Sequence, residues 1–343
     1  MKTLSTEDES DDETEDLPVC NGYAELCTRR YGDVTMVGTH NSAFVQRNSL
    51  AANQELSVHD QLDDGVRFLQ AQMHWARNDL EPHFCHTSCD LLDAGPITDW
   101  LGQVKDWVER HPRDVVTILL GNGNYARPEM YAPYIESTGL VDFAYAPSNP
   151  PVNLQDWPTL GKMIDSRQRV VMMLDYKADE TVYPWLLDEF SYMWETPFDP
   201  LINSGIPCST QRPPNLSDEQ ASNMLYLLNH NINIEVSLAG QSVLIPAVSI
   251  ANQTNAATGR NSLGETAEKC REEWTRPPTV LNVDYYNHGH PPGSVFQVAA
   301  RMNRVTYNTT CCRKARTSGA IHSVALSPAA LGLVVIMTVQ FFM

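Results

Sequence analysis

Two histidines, His40 and His86, stand in settings where an imidazole could move protons. In residues 34–44, VTMVGTHNSAF, an apolar run rich in β-branched residues stops at Gly38, and Thr39, His40, Asn41 and Ser42 follow as four polar side chains. That is the pattern of a buried strand surfacing into a loop and delivering chemistry at its end. A lone loop histidine is ordinarily a satisfied structural residue; His86, in PHFCHTSCDLLDAG, supplies the second imidazole that changes the weighing. Cleaving a phosphodiester through a neighbouring hydroxyl needs a base for the hydroxyl proton and an acid for the departing alkoxide. Histidine holds either role near neutral pH. An aspartate accepting a proton from one imidazole would fix its tautomer, and Asp284 is the candidate. Charge developing on the phosphate also calls for donors or a cation.

The elements that must position these groups follow from hydrophobic periodicity. Residues 48–64 are expected to form a polar loop and then a helix leading into Gly65. Residues 66–75 alternate, with Phe68, Gln70, Gln72 and His74 on one side and Arg67, Leu69, Ala71 and Met73 on the other. In a sandwich that polar face meets solvent; in a closed barrel it lines the mouth, with His74 nearest the end. Arg67, on the opposite parity, reads as a structural ion pair behind the barrel. Ile97, Trp100, Leu101, Val104, Trp107 and Val108 recur at helical spacing after Pro96. Residues 114–120, DVVTILL, read as a strand buried on both faces that ends in Gly121-Asn122-Gly123-Asn124, and residues 169–176, RVVMMLDY, as another with Asp175 at its end. Helices are predicted at 183–194 and 219–229, a short strand at 243–248, and an apolar helix at 294–302. In residues 279–286, TVLNVDYY, the parity of Val280, Asn282, Asp284 and Tyr286 is expected to face inward.

There is no internal repeat and no P-loop or GxGxxG fingerprint. Strands recurring with helices between them predict one α/β domain, an irregular (β/α) TIM-type barrel. Chemistry in such barrels sits at the strand C-terminal ends. His40, His74, Asn122, Asp175 and Asp284 all fall there, and Asn41, Gln70, Gln72 and Tyr286 complete the expected substrate contacts. Asp90 and Asp93 could serve the site, although Asp93 stands close enough to Pro96 to cap a helix.

The chain of 343 residues is long enough for one large barrel, and its 42% hydrophobic content supplies a sizeable core. A formal net charge of −18 argues against nucleic acid as a partner. Residues 1–16 hold eight acids and one lysine, so the rest carries −11. Residues 1–19 are expected to be a disordered acidic tail, 20–312 the barrel, and 313–343 a linker and hydrophobic tail. Eight cysteines and three sequons, at Asn215, Asn252 and Asn308, fit an oxidising extracytoplasmic compartment. Close spacing suggests Cys20 with Cys27 and Cys85 with Cys89, which leaves Cys208 to pair with Cys270. The alternative is a metal site, but CxxxC at 85 and 89 lacks a second pair at zinc spacing. Cys311 and Cys312 stay unassigned. No apolar signal-peptide core is legible in residues 1–20, so the start lies upstream or export is unconventional. Residues 324–343 are strongly apolar, and Ser318-Gly319-Ala320 before them match a GPI-attachment signal better than a retained span.

GTHNSA at 38–43, QLDDGVRFLQ at 61–70, FCHTSCDLLDAG at 84–95, WPTLGKMID at 157–165 and NVDYYN at 282–287 together resemble the PLC-like phosphodiesterases. These form the TIM-barrel superfamily of the phosphatidylinositol-specific phospholipase C X domain, and the chain is most similar to its secreted, cysteine-containing fungal-type branch. The resemblance implies that His40 is the general base, His86 the general acid, and Asp284 the support of the first histidine. Calcium-dependent relatives carry acidic ligands where Gln70 and Gln72 stand here, so calcium is disfavoured although Asn41 matches a ligand position. Bacterial-type relatives hold the phosphate with an arginine where Gln72 stands. The resulting expectation is a metal-independent, monomeric phosphodiesterase that cleaves a phosphoinositide or a glycosylated phosphoinositide at an outer membrane surface or cell wall. Its rivals are a catalytically weak barrel that binds lipid headgroups or wall glycans, and a metal-dependent phosphodiesterase on the same barrel.

Overall fold

A computed structural model describes residues 18–45, 49, 51–75, 80–198, 205–238 and 241–312, apart from the side chains of 236–243. The expectations for the acidic tail and for the hydrophobic C-terminal run fall outside them. Among the described residues no helix is long and apolar enough to cross a membrane.

Eight parallel strands make the frame: β1 (Met36–Thr39), β2 (Phe68–His74), β5 (Val116–Asn122), β6 (Val170–Leu174), β7 (Leu186–Asp188), β8 (Met193–Glu195), β9 (Leu225–Asn229) and β12 (Val280–Val283). Their order is β7-β6-β5-β2-β1-β12-β9-β8. The sheet curls into a barrel whose edge strands β7 and β8 are joined by the single turn α5 (Glu189–Tyr192) instead of a hydrogen-bonded ladder. A hairpin, β3 (His83–Cys85) and β4 (Asp93–Pro96), extends antiparallel from β2 and carries His86 on the loop between its strands. A second, β10 (Asn233–Leu238) with β11 (Gln241–Pro246), pairs only with itself.

The helices obey local rules. α1 (Val58–Asp64) is capped by Ser57, whose Oγ accepts from the Asp60 amide, and stops at Gly65 with φ +113°. α2 (Ile97–Arg110) buries the six apolar residues whose spacing announced it. α3 (Ala132–Ser137), α4 (Leu160–Asp165), α7 (Ala251–Thr254), α8 (Leu263–Glu273) and α9 (Ser294–Asn303) complete the outer layer, with α6 (Asp218–Ser222) held by a Ser217/Gln220 capping box.

Alternation along each strand explains why one end of the barrel is a core and the other a site. The inward parity reads Met36, Gly38, His40 on β1 and its extension, Phe68, Gln70, Gln72 on β2, and Val171, Met173, Asp175 beside β6. It reads Met193, Glu195 on β8, Leu225, Leu227, Asn229 on β9, and Val280, Asn282, Asp284 on β12. Each strand turns from apolar to polar at the same level, so apolar side chains fill the N-terminal half and polar ones line the mouth. Gly38 is glycine because the wall is tight there. A Cβ on it would lie 2.7 Å from Val280 Cγ1 and 3.0 Å from Phe68 Cδ1.

Three readings of the sequence are corrected. Residues 183–194 are not a helix but β7, one helical turn and β8, because strands of three residues are too short to show a period. Residues 219–229 divide into α6 and the buried strand β9. Asp93 does not cap α2; it lies on β4, 2.9 Å from His83 Nδ1. Arg67 sits behind the barrel as expected, 2.8 Å from Asp114 and over the ring of Trp107. Disulfides join Cys20–Cys27, Cys85–Cys89, Cys208–Cys270 and the adjacent Cys311–Cys312. The asparagines of the three sequons, Asn215, Asn252 and Asn308, are exposed.

Candidate active site

Strand register sets the first contact. Thr39 pairs with Val283 across β1 and β12, so the next residues, His40 and Asp284, emerge side by side, and the His40 amide donates to Val283 O at 3.0 Å. His40 Nδ1 lies 2.8 Å from Asp284 Oδ1. Asn53 Nδ2 donates to the same carboxylate oxygen at 2.9 Å and lies 3.3 Å from His40 Nδ1. Because a carboxylate only accepts, Nδ1 is the protonated nitrogen, and Nε2 is left free to take a proton. The loop behind is fixed by buried amides. Gln54 Nε2 donates to the carbonyls of His40 and Val283. Gln61 Oε1 accepts from both Thr39 Oγ1 and Ser42 Oγ. Asn41 holds φ +50°, a conformation asparagine tolerates, which turns the chain after His40.

His40 and His86 border one cavity of about 800 Å³ at the barrel mouth. His86 follows the β3 strand within the span of the Cys85–Cys89 disulfide, and its ring meets Phe44 edge-on, centroids 5.3 Å apart. Burial, with His40 and His74 adding to it, pushes its pKa down to about 4 against an opposing pull from Asp284. In the free protein its imidazole is therefore neutral at pH 7.

Across the cavity, the gap between β7 and β8 is filled by charge. Arg212 Nη1 lies 3.2 Å from Glu195 Oε2, and Nη2 lies 3.6 Å from Asp175 Oδ2. Its guanidinium also stands over the rings of Tyr176, Phe190 and Phe198, 5.1 to 5.6 Å from their centroids. Burial works against the guanidinium charge, but Glu195 and the other acids outweigh it and hold its pKa above the ordinary value. Asp175 accepts from the Asn122 amide at 2.7 Å, yet burial pushes its carboxyl up to about 6. Glu189 is fully buried and neither of its oxygens meets a donor among the described residues. Burial and the nearby Glu195 raise its pKa well above the ordinary value. A ladder of amides runs from this end across β9 and β12 to β2: Asn282 Nδ2 reaches Gln70 Oε1 at 2.9 Å and Asn229 Oδ1 at 3.2 Å, and Asn229 Nδ2 reaches Glu195 Oε2 at 3.3 Å.

Of the residues expected to contact substrate, Asn41, Gln70, Gln72 and Asp175 line the cavity, and three others do not. His74 turns its Nε2 to Gln72 Oε1 at 2.9 Å, against Gly123, where a Cβ would lie 2.3 Å from its ring. Asn122 spends its amide on the following loops, donating to the Ala126 and Tyr176 carbonyls and accepting from Tyr131. Tyr286 leaves the inward parity because Tyr285 adopts φ +48°, which turns the chain and sends the Tyr286 hydroxyl to Asp64 at 2.7 Å. Calcium of the kind held by acids on the second strand does not fit. Gln70 and Gln72 are neutral, and both amide oxygens already have partners.

A family profile described as PI-PLC X 1 matches residues 26–303. The chain belongs to the PI-PLC X family. It is 48% identical over 305 residues to an uncharacterized secreted protein of Arthroderma benhamiae, covering 89% of this chain and 68% of that one. It is 38% identical over 272 residues to PI-PLC X domain-containing protein 1 of the same fungus, covering 79% and 86%. In fold it is similar to a double mutant of the phosphatidylinositol-specific phospholipase C from S. aureus, with a TM-score of 0.53 and 15% identity over 83% of this chain and 96% of that one.

Sequence reasoning did not reach Asn53, Gln54, Glu189, Glu195 or Arg212. None of them carried a legible signal, since Glu195 ends a strand of three residues and the others lie outside the strands.

Proposed function

We propose that this PI-PLC X family member is a phospholipase C-like phosphodiesterase that cleaves a phosphoinositide-type lipid headgroup by two-histidine acid/base catalysis without a metal. The observation that carries the reading is the His40–Asp284 contact of 2.8 Å beside a cavity that also presents His86. His40 Nε2 takes the proton of a headgroup hydroxyl, whose oxygen forms a bond to phosphorus. The bond from phosphorus to the glyceryl oxygen breaks, and His86 gives that oxygen its proton. Asp284 stabilises the imidazolium formed on His40. Arg212 and Asp175 offer a donor and an acceptor to ring hydroxyls, and Tyr125 and Tyr176 offer faces to the ring itself. Arg212 is the one lysine or arginine among the described residues lining the cavity, and it is already balanced by carboxylates, so that end suits a neutral polyol.

The secreted relative, the disulfides and the exposed sequons support action outside the cell; its place at a membrane surface or wall, on an anchored, glycosylated chain, is part of the proposal. The test is release of water-soluble inositol phosphate from phosphatidylinositol vesicles by the full chain, with and without chelator, beside His40→Ala and His86→Ala. Chelator-resistant release lost in either variant is expected. Release that survives His40→Ala sinks the mechanism, and no release from folded protein favours a barrel that only binds headgroups or wall glycans.

A further inference from the structure

Asp284 faces two spaces. Its Oδ1 serves His40 and Asn53 on the cavity side, whereas its Oδ2 is buried and meets no donor among the described residues. Behind it lies a separate cavity of about 10 Å³, bordered by Asp284, His230, Asn231 and Asn255. That is about the smallest space, ~10 Å³, that holds one water molecule.

Two further buried atoms on this border also lack a partner among the described residues, His230 Nδ1 and Asn231 Oδ1. His230 is fully buried at the end of β9, with its other nitrogen, Nε2, 3.2 Å from Thr266 Oγ1. The Asn231 amide is oriented by Nδ2, which donates to Phe198 O at 3.1 Å, so the orphan atom is the oxygen. The three residues that carry these orphan atoms all border the one-water space. A buried water makes about three hydrogen bonds. Here it would donate to Asp284 Oδ2 and Asn231 Oδ1 and accept from His230 Nδ1–H. This arrangement calls for the Nδ1–H tautomer, with Nε2 accepting from the Thr266 hydroxyl; burial pushes the His230 pKa down to about 3 against the pull of the His230 and Ser262 backbone carbonyls, so the ring is neutral.

We infer that His230 is a positioning residue for the proposed reaction, holding the far oxygen of Asp284 through one buried water so that the near oxygen stays aimed at His40. The inference rests on the function proposed above for His40 and Asp284. Without this support Asp284 could rotate about its χ2 and share Oδ1 less directly with the imidazole.

Two substitutions separate this role from simple packing. His230→Asn keeps a polar group where Nδ1 stands and gives up the reach to Thr266; His230→Gln keeps the reach to Thr266 and gives up the group facing the water. In the full chain, His230→Gln is expected to lower kcat on phosphatidylinositol vesicles roughly ten- to hundredfold with KM unchanged. His230→Asn is expected to stay near wild type. The downfield proton resonance of the His40–Asp284 hydrogen bond should be lost or shifted in the Gln variant and kept in the Asn variant. The reverse order, or equal effects of the two, overturns the inference. A crystal structure of the wild-type chain reads it without any variant: a water bonded to all three atoms supports it, and a dry or differently bonded site refutes it. If the wild-type chain releases no inositol phosphate, the proposed function fails, while the resonance and the crystal structure still decide on His230.

Discussion

Asp175 offers the most quantitative test of the charged end of the cavity. Its carboxyl accepts from the Asn122 amide and faces Arg212, both of which favour the anion, yet burial dominates and raises its pKa from 3.8 to about 6. The folded state therefore binds a proton more tightly here than the unfolded chain does. Stability from this group is fully present below pH ~4 and declines as pH rises toward ~6, above which the loss is complete. A shift of ~2 units corresponds to ~3 kcal/mol. Asp175→Asn removes the titration while its side-chain oxygen can still accept from the Asn122 amide. Relative to wild type, the variant is expected to gain ~3 kcal/mol of unfolding free energy between pH 4 and pH 8. Guanidinium unfolding followed by tryptophan fluorescence at several pH values measures it. Reading the difference between the two proteins cancels the other carboxyls. A difference that stays flat with pH, or that shrinks as pH rises, would refute the claim that burial outweighs Arg212 at this residue.

Two further expectations concern the dyad and its partner. The His86 imidazole should titrate near pH 4 in the free protein by NMR, and added inorganic phosphate should move the midpoint upward; an unmoved midpoint would place the anion away from His86. Asn53→Ala leaves Asp284 one donor short and should lower kcat about tenfold, the effect of one hydrogen bond to a charged group, whereas unchanged kcat would remove Asn53 from the support of the dyad.

The barrel was legible because its longest strands announce themselves. DVVTILL and RVVMMLDY are buried on both faces, and β2 alternates cleanly, so their ends, and with them Gln70, Gln72 and Asp175, could be placed from pattern alone. The first contact of the site was legible for the same reason, since His40 and Asp284 each stand just past a strand end. What escaped depends on contacts distant in sequence. Arg212 lies in a proline-rich loop with no periodicity, and only the fold brings it to Glu195 and Asp175. Asn53 and Gln54 sit in a polar loop that composition does not distinguish from an ordinary surface one. His230 was hidden by reading 219–229 as a helix. Leu225–Asn229 read as a strand would have exposed His230 and Asn231 by the same strand-end rule that singled out His40.

The unequal surroundings of the two imidazoles support the proposed roles on grounds separate from any resemblance. His40 has a carboxylate on Nδ1, so the cation formed when Nε2 takes a proton is stabilised at once, which suits a base. No carboxylate bonds to His86 among the described residues; it packs against Phe44, and burial with neighbouring positive charge disfavours its cation. Such an imidazolium gives up its proton readily, which suits an acid. The cost is occupancy, because a group with a pKa of about 4 is protonated only about once in a thousand at pH 7. The substrate itself supplies the correction. In the proposed reaction, a phosphodiester anion entering between the histidines would add a negative charge that favours the His86 cation against the burial and the neighbouring imidazoles that depress it, so the acid would be armed chiefly when there is a bond to break. Gln70 and Gln72 are consistent with this division of labour: a fixed cation at that wall would stabilise the phosphate but further depress His86, whereas neutral amides leave the bound anion free to raise it.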